Sequence, residues 1–339
     1  MKLYIYFFFV VSYSYSQVGG ETVFNFLNVS TSGRQTALGG KVLTLLDDVN
    51  QPTWNPAVIS QELDNKLSVN YVNFLKDVNY GSVNFSHFFN KRFGSLHTNI
   101  TFVDYGKMIR ADETGIELGT FNSRDLQISM GYSRNLPWSD MYIGGNIKFI
   151  TSIIDNYTST GFAFDLAILY HNYRKPYRFT LVLRNAGLQV NSFDAVREKM
   201  PMEIILGASY DLEDLPLRWY LTLDNLQKWN VSVLNLSDVQ NNISSGKDAE
   251  KITFLNNAVR HFIVGAEFFP KGKFNLRLGY NFRRARELRL TETRTFSGIS
   301  VGFGLKMGKY KLHYAYSKFH PTSNTSTFSL DINLESKIR

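Results

Sequence analysis

From Leu126 to Ser133 (Leu-Gln-Ile-Ser-Met-Gly-Tyr-Ser) every second residue is large and apolar and its neighbours are polar or small. That is the period of a strand with one greasy and one wet face. The alternation recurs. Phe162, Phe164, Leu166, Ile168 and Tyr170 alternate with Gly161, Ala163, Asp165, Ala167 and Leu169, and Phe274, Leu276, Leu278, Tyr280 and Phe282 with Asn275, Arg277, Gly279, Asn281 and Arg283. Tyr310 to Ser317 and Phe328 to Leu334 repeat it. Runs of this kind predict about fourteen strands, with cores at 67–75, 79–89, 95–104, 124–134, 141–151, 160–171, 177–186, 202–211, 217–226, 259–269, 273–283, 296–307, 309–318 and 326–334. Most approach the ~9–11 residues that a tilted strand needs to cross hydrocarbon, and an even count suits an outer-membrane barrel.

The connectors supply an independent argument. Every other one is tight: Asn90 to Gly94, Asn135 to Asp140, Asn172 to Pro176, Leu212 to Pro216, Pro270 to Gly272 and the single Gly308. Those between are mostly longer, including Tyr105 to Ser123, Ala186 to Pro201, Gln227 to Ala258 and Arg284 to Thr295. Antiparallel strands that close on themselves put short turns on one rim and long loops on the other, whereas a soluble sandwich has no reason to alternate loop length. The predicted class is all-β, a transmembrane antiparallel β-barrel. Aromatics near strand ends, Tyr71, Phe74, Phe102, Tyr105, Tyr132, Trp138, Trp219, Trp229 and Tyr316, suit the interface girdles of such a wall.

The start of the chain breaks the pattern. Lys2 is followed by the apolar block Leu3 to Val11 and then by Ser12-Tyr13-Ser14-Tyr15-Ser16, with Ser14 and Ser16 as the small residues before a cleavage point. This reads as a secretory leader over 1–16, too short to span as a helix. With no cysteine in the chain there is neither a disulfide framework nor a lipoprotein acylation site, which places an exported protein in a bacterial envelope, integral to the outer membrane. Composition agrees: 15% aromatic with 27 Phe and 19 Tyr favours strands. The net charge of +8 by itself permits nucleic acid, anionic lipid or acidic partners. Export removes nucleic acid from that set and leaves outer-membrane lipid.

Residues 17–66 do not alternate and are expected to cap or plug the barrel formed by 67–339. Gly39-Gly40 permits a tight positive-φ backbone, and Asn55-Pro56 opens a turn or short helix. Phe26-Leu27, Ser32-x-Arg34-Gln35-x-Ala37-Leu38-Gly39-Gly40, Asp48 and Asn55-Pro56-Ala57 resemble the N-terminal signature of the PorV/PorQ family, outer-membrane barrels that share the fold of FadL-type fatty-acid transporters. Tyr71-Val72-Asn73-Phe74, Asp104-Tyr105-Gly106, Ala111 to Gly115, Gly119-x-Phe121 and Leu278-Gly279-Tyr280-Asn281 with Arg283-Arg284 and Glu287-Leu288 are similar to the family's PorQ-like rather than PorV-like members. The resemblance covers nearly the whole mature chain except the connector 227–257. It implies a type IX secretion component that anchors a PorZ-like surface protein beside PorU- and PorV-like proteins, which process cargo and join it to anionic lipopolysaccharide. It implies no catalysis and no cofactor.

Residue chemistry points the same way. Ser244-Ser245-Gly246-Lys247 fits Ser-x-x-Lys, yet no Ser-Asp-Asn or Lys-Thr-Gly accompanies it, so acyl-enzyme chemistry is not expected. Gly33 to Lys41 lacks phosphate-loop spacing, and Val42 stands where Ser or Thr would hold magnesium. The six histidines, 87, 97, 171, 261, 313 and 320, include no His-x-x-x-His pair. His87, His97 and His313 are expected to join a polar network in the lumen rather than bind metal. Candidate partner contacts in extracellular loops are Arg110, Asp112 and Glu113 in the 105–123 connector and Arg283, Arg284, Arg286 and Arg289 in the basic connector that also holds Arg294; guanidinium forks pair well with phosphates and carboxylates. The competing function is a FadL-like conduit for hydrophobic small molecules. A conduit needs a continuous apolar passage, and the inward parity of Arg277, Asn281, Lys311 and Asp331 favours a plugged, polar interior.

Overall fold

The computed structural model describes residues 22–90, 92–136, 139–194, 196–231, 253–288, 297–319 and 323–334. The expected leader 1–16, Trp138, Ser244 to Lys247, Arg289, Arg294 and His320 lie outside the described residues. Fourteen strands form one closed antiparallel barrel in sequential order. They are β1 (Lys66–Leu75), β2 (Val78–Asn90), β3 (Gly94–Ala111), β4 (Glu117–Asn135), β5 (Met141–Ile154), β6 (Tyr157–His171), β7 (Tyr177–Asn191), β8 (Glu203–Asp211), β9 (Leu217–Leu223), β10 (Phe262–Phe268), β11 (Phe274–Asn281), β12 (Ile299–Met307), β13 (Tyr310–Ser317) and β14 (Thr325–Asn333). The seam closes where β1 pairs with β14, from Lys66 opposite Asn333 to Asn73 opposite Ser326.

The alternation in the sequence becomes the two faces of this wall. On β6, Phe162, Phe164, Leu166 and Ile168 are exposed outward, while Asp165 points inward and is fully buried. On β11, Phe274, Leu276, Leu278 and Tyr280 are exposed and Asn275, Arg277 and Asn281 are buried. The apolar rows therefore line the outside of a cylinder and are not sandwiched between sheets. Lipid offers no partner for a free N–H or C=O, so closure is the solution a strand protein has there, and the wall is that of an integral outer-membrane barrel.

Strand ends differ from the sequence reading by a few residues in places, as where β7 runs on to Asn191 into the expected 186–201 loop, and two connectors differ in kind. The stretch 105–123, expected as a loop, is mostly strand: β3 and β4 continue as a two-stranded ribbon from Lys107 opposite Asn122 to Ala111 opposite Glu117. A bulge after Asp104 starts the ribbon. Gly106 takes φ +71° there, and the Tyr105 hydroxyl turns inward to donate to Asp125 at 2.6 Å. The tip closes through Asp112, whose Oδ1 accepts from the Thr114 amide at 2.9 Å, the Thr114 hydroxyl at 2.7 Å and the Ile116 amide at 2.9 Å. This local carboxylate turn lets the strands run on where the side-chain alternation fades.

The second difference follows β11. Asn281 accepts from the Arg284 amide at 3.0 Å and caps a short helix over Phe282–Glu287, so Arg283, Arg284 and Arg286 sit on a helix and not in an open loop.

Candidate functional site

Residues 22–65 fill the lumen. The helix α1 (Gly33–Ala37) is capped by Ser32, whose hydroxyl accepts from the Gln35 amide, and all five of its residues are buried. Three apolar clusters pack this segment on the inward wall. Phe24, Phe26 and Leu27 meet Val72, Tyr80, Val103 and Ile150; Leu43, Trp54, Ala57 and Val58 meet Leu169, Val182 and Ile205; Leu38, Val42 and Leu45 meet Tyr220.

Between these clusters the contact is ionic. Arg34 on α1 forms a two-pronged pair with Glu267 of β10, Nε to Oε1 at 3.0 Å and Nη2 to Oε2 at 2.8 Å, and its Nη1 donates to Asp47 at 2.8 Å. Glu267 also accepts from Arg277 at 2.8 Å and from the Tyr220 hydroxyl at 2.9 Å. Lys41 reaches Glu203 at 2.6 Å and Asp224 at 3.1 Å, and the Arg184 guanidinium lies 3.6 Å over the Trp54 ring. Charges taken from water need such complete partnership, because an isolated one in this interior costs several kcal/mol.

Neutral groups finish the docking. Asn55 Oδ1 accepts from the Ala57 amide at 3.0 Å, and its Nδ2 donates to the Leu43 carbonyl at 2.7 Å and to Thr180 at 3.1 Å. Two wall glycines admit the plug backbone. A Cβ on Gly279 would sit 2.1 Å from the Gly39 nitrogen, and one on Gly144 would sit 2.4 Å from the Pro56 carbonyl carbon. The segment residues singled out from the sequence, Arg34, Leu38, Gly39, Gly40, Asn55, Pro56 and Ala57, are thus all buried in one interface. Of the three histidines placed in the lumen, His97 contacts the Val49 carbonyl at 3.1 Å, and His313 lies between Arg277 at 2.9 Å and Asp331 at 3.1 Å. His87 instead sits half-exposed beside Asp64.

The predicted partner-contact residues separate into two groups. Arg110 pairs with Asp155 at the base of the ribbon, and Asp112 and Glu113 are exposed at its tip with Ile109, Ile116 and Leu118, each more than 60% exposed. Hydrogen bonds from the Thr114 hydroxyl and the Ile116 amide hold the Asp112 carboxyl below its ordinary pKa. Among the described residues of the other group, Arg283, Arg284 and Arg286, only Arg286 is exposed. Arg283 turns inward to donate to Asp224 at 2.9 Å, and Arg284 stacks 3.9 Å over the Phe319 ring. Both line a polar cavity of about 340 Å³ at the long-loop rim, with Asn28, Ser30, Lys41, Glu203, Asn225, Asn281 and Glu287. The sequence reading of Arg283 and Arg284 as outward loop contacts is corrected on this point: the cap at Asn281 winds them back over the lumen.

Sequence reasoning passed over Glu267, Glu203, Asp224, Lys148 and Tyr220. The strand parity that exposed Arg277 was present for Glu267, flanked by outward Phe268, and for Lys148, between outward Ile147 and Phe149. A charge at inward parity was the available signal.

No family model matches the chain, and no curated protein matches it. Among solved structures it is similar to the toluene transporter TbuX of Ralstonia pickettii, with 11% identity and a TM-score of 0.52 over 92% of this chain and 100% of that one. It is similar also to a deltaS2 mutant of the monoaromatic hydrocarbon channel TodX, with 11% identity and a TM-score of 0.51 over 91% of this chain and 98% of that one. At such identity the likeness is one of fold alone: a closed outer-membrane β-barrel.

Proposed function

We propose that this protein is a non-catalytic outer-membrane anchor of a type IX secretion attachment complex, of the PorQ kind, holding a PorZ-like surface protein where PorU- and PorV-like proteins process cargo and join it to anionic lipopolysaccharide. The observation that carries this reading is the lumen. The segment bearing the PorV/PorQ-like signature is locked against the wall by Arg34–Glu267 and Lys41–Glu203 pairs, with the wall lined by Asn, Ser and charged residues. Passage of a hydrophobic molecule needs a continuous apolar lining, and moving this segment aside would strand several buried charges. The ribbon of β3 and β4 and the exposed Arg286 are the contacts offered to a surface partner.

The second reading, a passive channel for hydrophobic small molecules, is favoured by the fold shared with TbuX and TodX. One experiment separates the two. Deleting the protein is expected to release the surface partner and secreted cargo into the medium, with uptake of toluene-like compounds unchanged. Normal cargo display with impaired uptake would overturn the anchor in favour of the channel.

A further inference from the structure

The rim cavity has a charge left over. Glu203 is engaged by Lys41 at 2.6 Å and Arg184 at 3.4 Å, Asp224 by Lys41 at 3.1 Å and Arg283 at 2.9 Å, and Glu287 lies 3.9 Å from Arg283. Among the described residues Arg284 has no carboxylate at ion-pair distance. Apart from the Phe319 ring that it stacks on, its guanidinium makes only long hydrogen bonds, to the Ser300 hydroxyl and the Gly39 carbonyl, both at 3.5 Å. Gly40, at φ +100°, leaves the room it occupies: a Cβ there would stand 3.1 Å from Arg284 Nη2. Burial and the adjacent Arg283 cation pull the Arg284 pKa down, against the more distant Glu287 and Asp224 carboxylates.

The rest of the lining shows what would supply it. Asn28, Ser30, Asn225 and Asn281 ring the cavity with amides and a hydroxyl. Of these, Asn225 Nδ2 is buried without an acceptor. A fatty acid would leave those lining groups unsatisfied. A body carrying hydroxyls satisfies them, and about 340 Å³ is at the size of a small-ligand site.

We infer that this cavity binds a single anionic group, phosphate or carboxylate, on a hydroxylated, sugar-sized body, with Arg284 as its fork and Asn225 as a donor to the same ligand. The ligand arrives either as a free sugar phosphate or as the headgroup of a glycolipid in the same membrane.

The test uses the full chain in detergent and in nanodiscs. In detergent, calorimetry with glucose 6-phosphate, glucose and inorganic phosphate is expected to rank the sugar phosphate at least tenfold tighter than the other two. Arg284→Gln should weaken it tenfold or more, Arg284→Lys less, and the exposed Arg286→Gln not at all. Heat-shifted gel mobility checks that each variant folds. Should Arg284→Gln fail that check, Asn225→Ala carries the test with an expected severalfold loss. In nanodiscs, a monophosphorylated glycolipid that competes with glucose 6-phosphate identifies the membrane source, and absence of competition identifies the free ligand. A glycolipid that binds where glucose 6-phosphate does not, with loss in Arg284→Gln, also supports the site. Equal affinity in Arg284→Gln and Arg286→Gln, or binding of no anion in either arm, overturns it.

Discussion

The plug and the β3–β4 ribbon are attached to the same wall by opposite means. The plug has almost no regular structure: α1 is five residues long and its other helical pieces are single turns, yet nearly every side chain between Val23 and Ile59 is buried. The ribbon is regular strand along most of its length, but beyond Asn122 it pairs only with itself, and its Ile109, Ile116 and Leu118 face solvent. Secondary structure and fixation are therefore separate properties. Buried ion pairs hold an irregular segment firmly, whereas a two-stranded ladder without a packed face is marginal.

The sharpest way to break this contrast is to unpair the plug. Glu267→Gln leaves Arg34 and Arg277 facing a neutral amide in a buried site, and a loss of about 3–5 kcal/mol is expected, read as a lower urea midpoint in heat-shifted gel mobility. An unchanged midpoint would mean that the plug is not held by its charges. Gly279→Ala comes next. Its methyl group would collide with the Gly39 nitrogen, a backbone atom that cannot swing aside, and a cost of about 1–3 kcal/mol is expected together with faster proteolysis within residues 33–40.

The ribbon should respond weakly to the same treatment. Arg110→Ala removes an exposed pair with Asp155 and is expected to shift the urea midpoint by less than about 1 kcal/mol, while lowering surface-partner capture if the anchor reading holds. The smallest effect is a pH effect confined to the tip. Because the Asp112 carboxyl is held below its ordinary value, the stabilisation it gives the turn is complete above about pH 4 and is lost as pH falls through the lowered value. Amide exchange at Ile116 should accelerate there in the native chain and show no such step in Asp112→Asn.

The strands were legible because strand parity is a local property. Each of the fourteen predicted cores overlaps a strand, and of the differences in extent the two at Asp112 and Asn281 have local causes, side chains that redirect the backbone by hydrogen bonds that periodicity does not register. The candidate site was legible only in part. Arg34 and the two glycines after Leu38 stood out as residues, but nothing near them in the chain names Glu267, 233 positions away, as the partner. Arg284 stood out as one arginine among several, and its reversal over the lumen depended on a cap and on the ring of Phe319.

By itself, then, the sequence determined the number of strands, the face each side chain takes and the need for a closed wall, because hydrophobic alternation and backbone hydrogen bonding act between immediate neighbours. The tertiary structure decided which charges meet, what fills the lumen and which arginine is left over. Those outcomes depend on distances between residues hundreds of positions apart, and only the curvature of the closed sheet sets them.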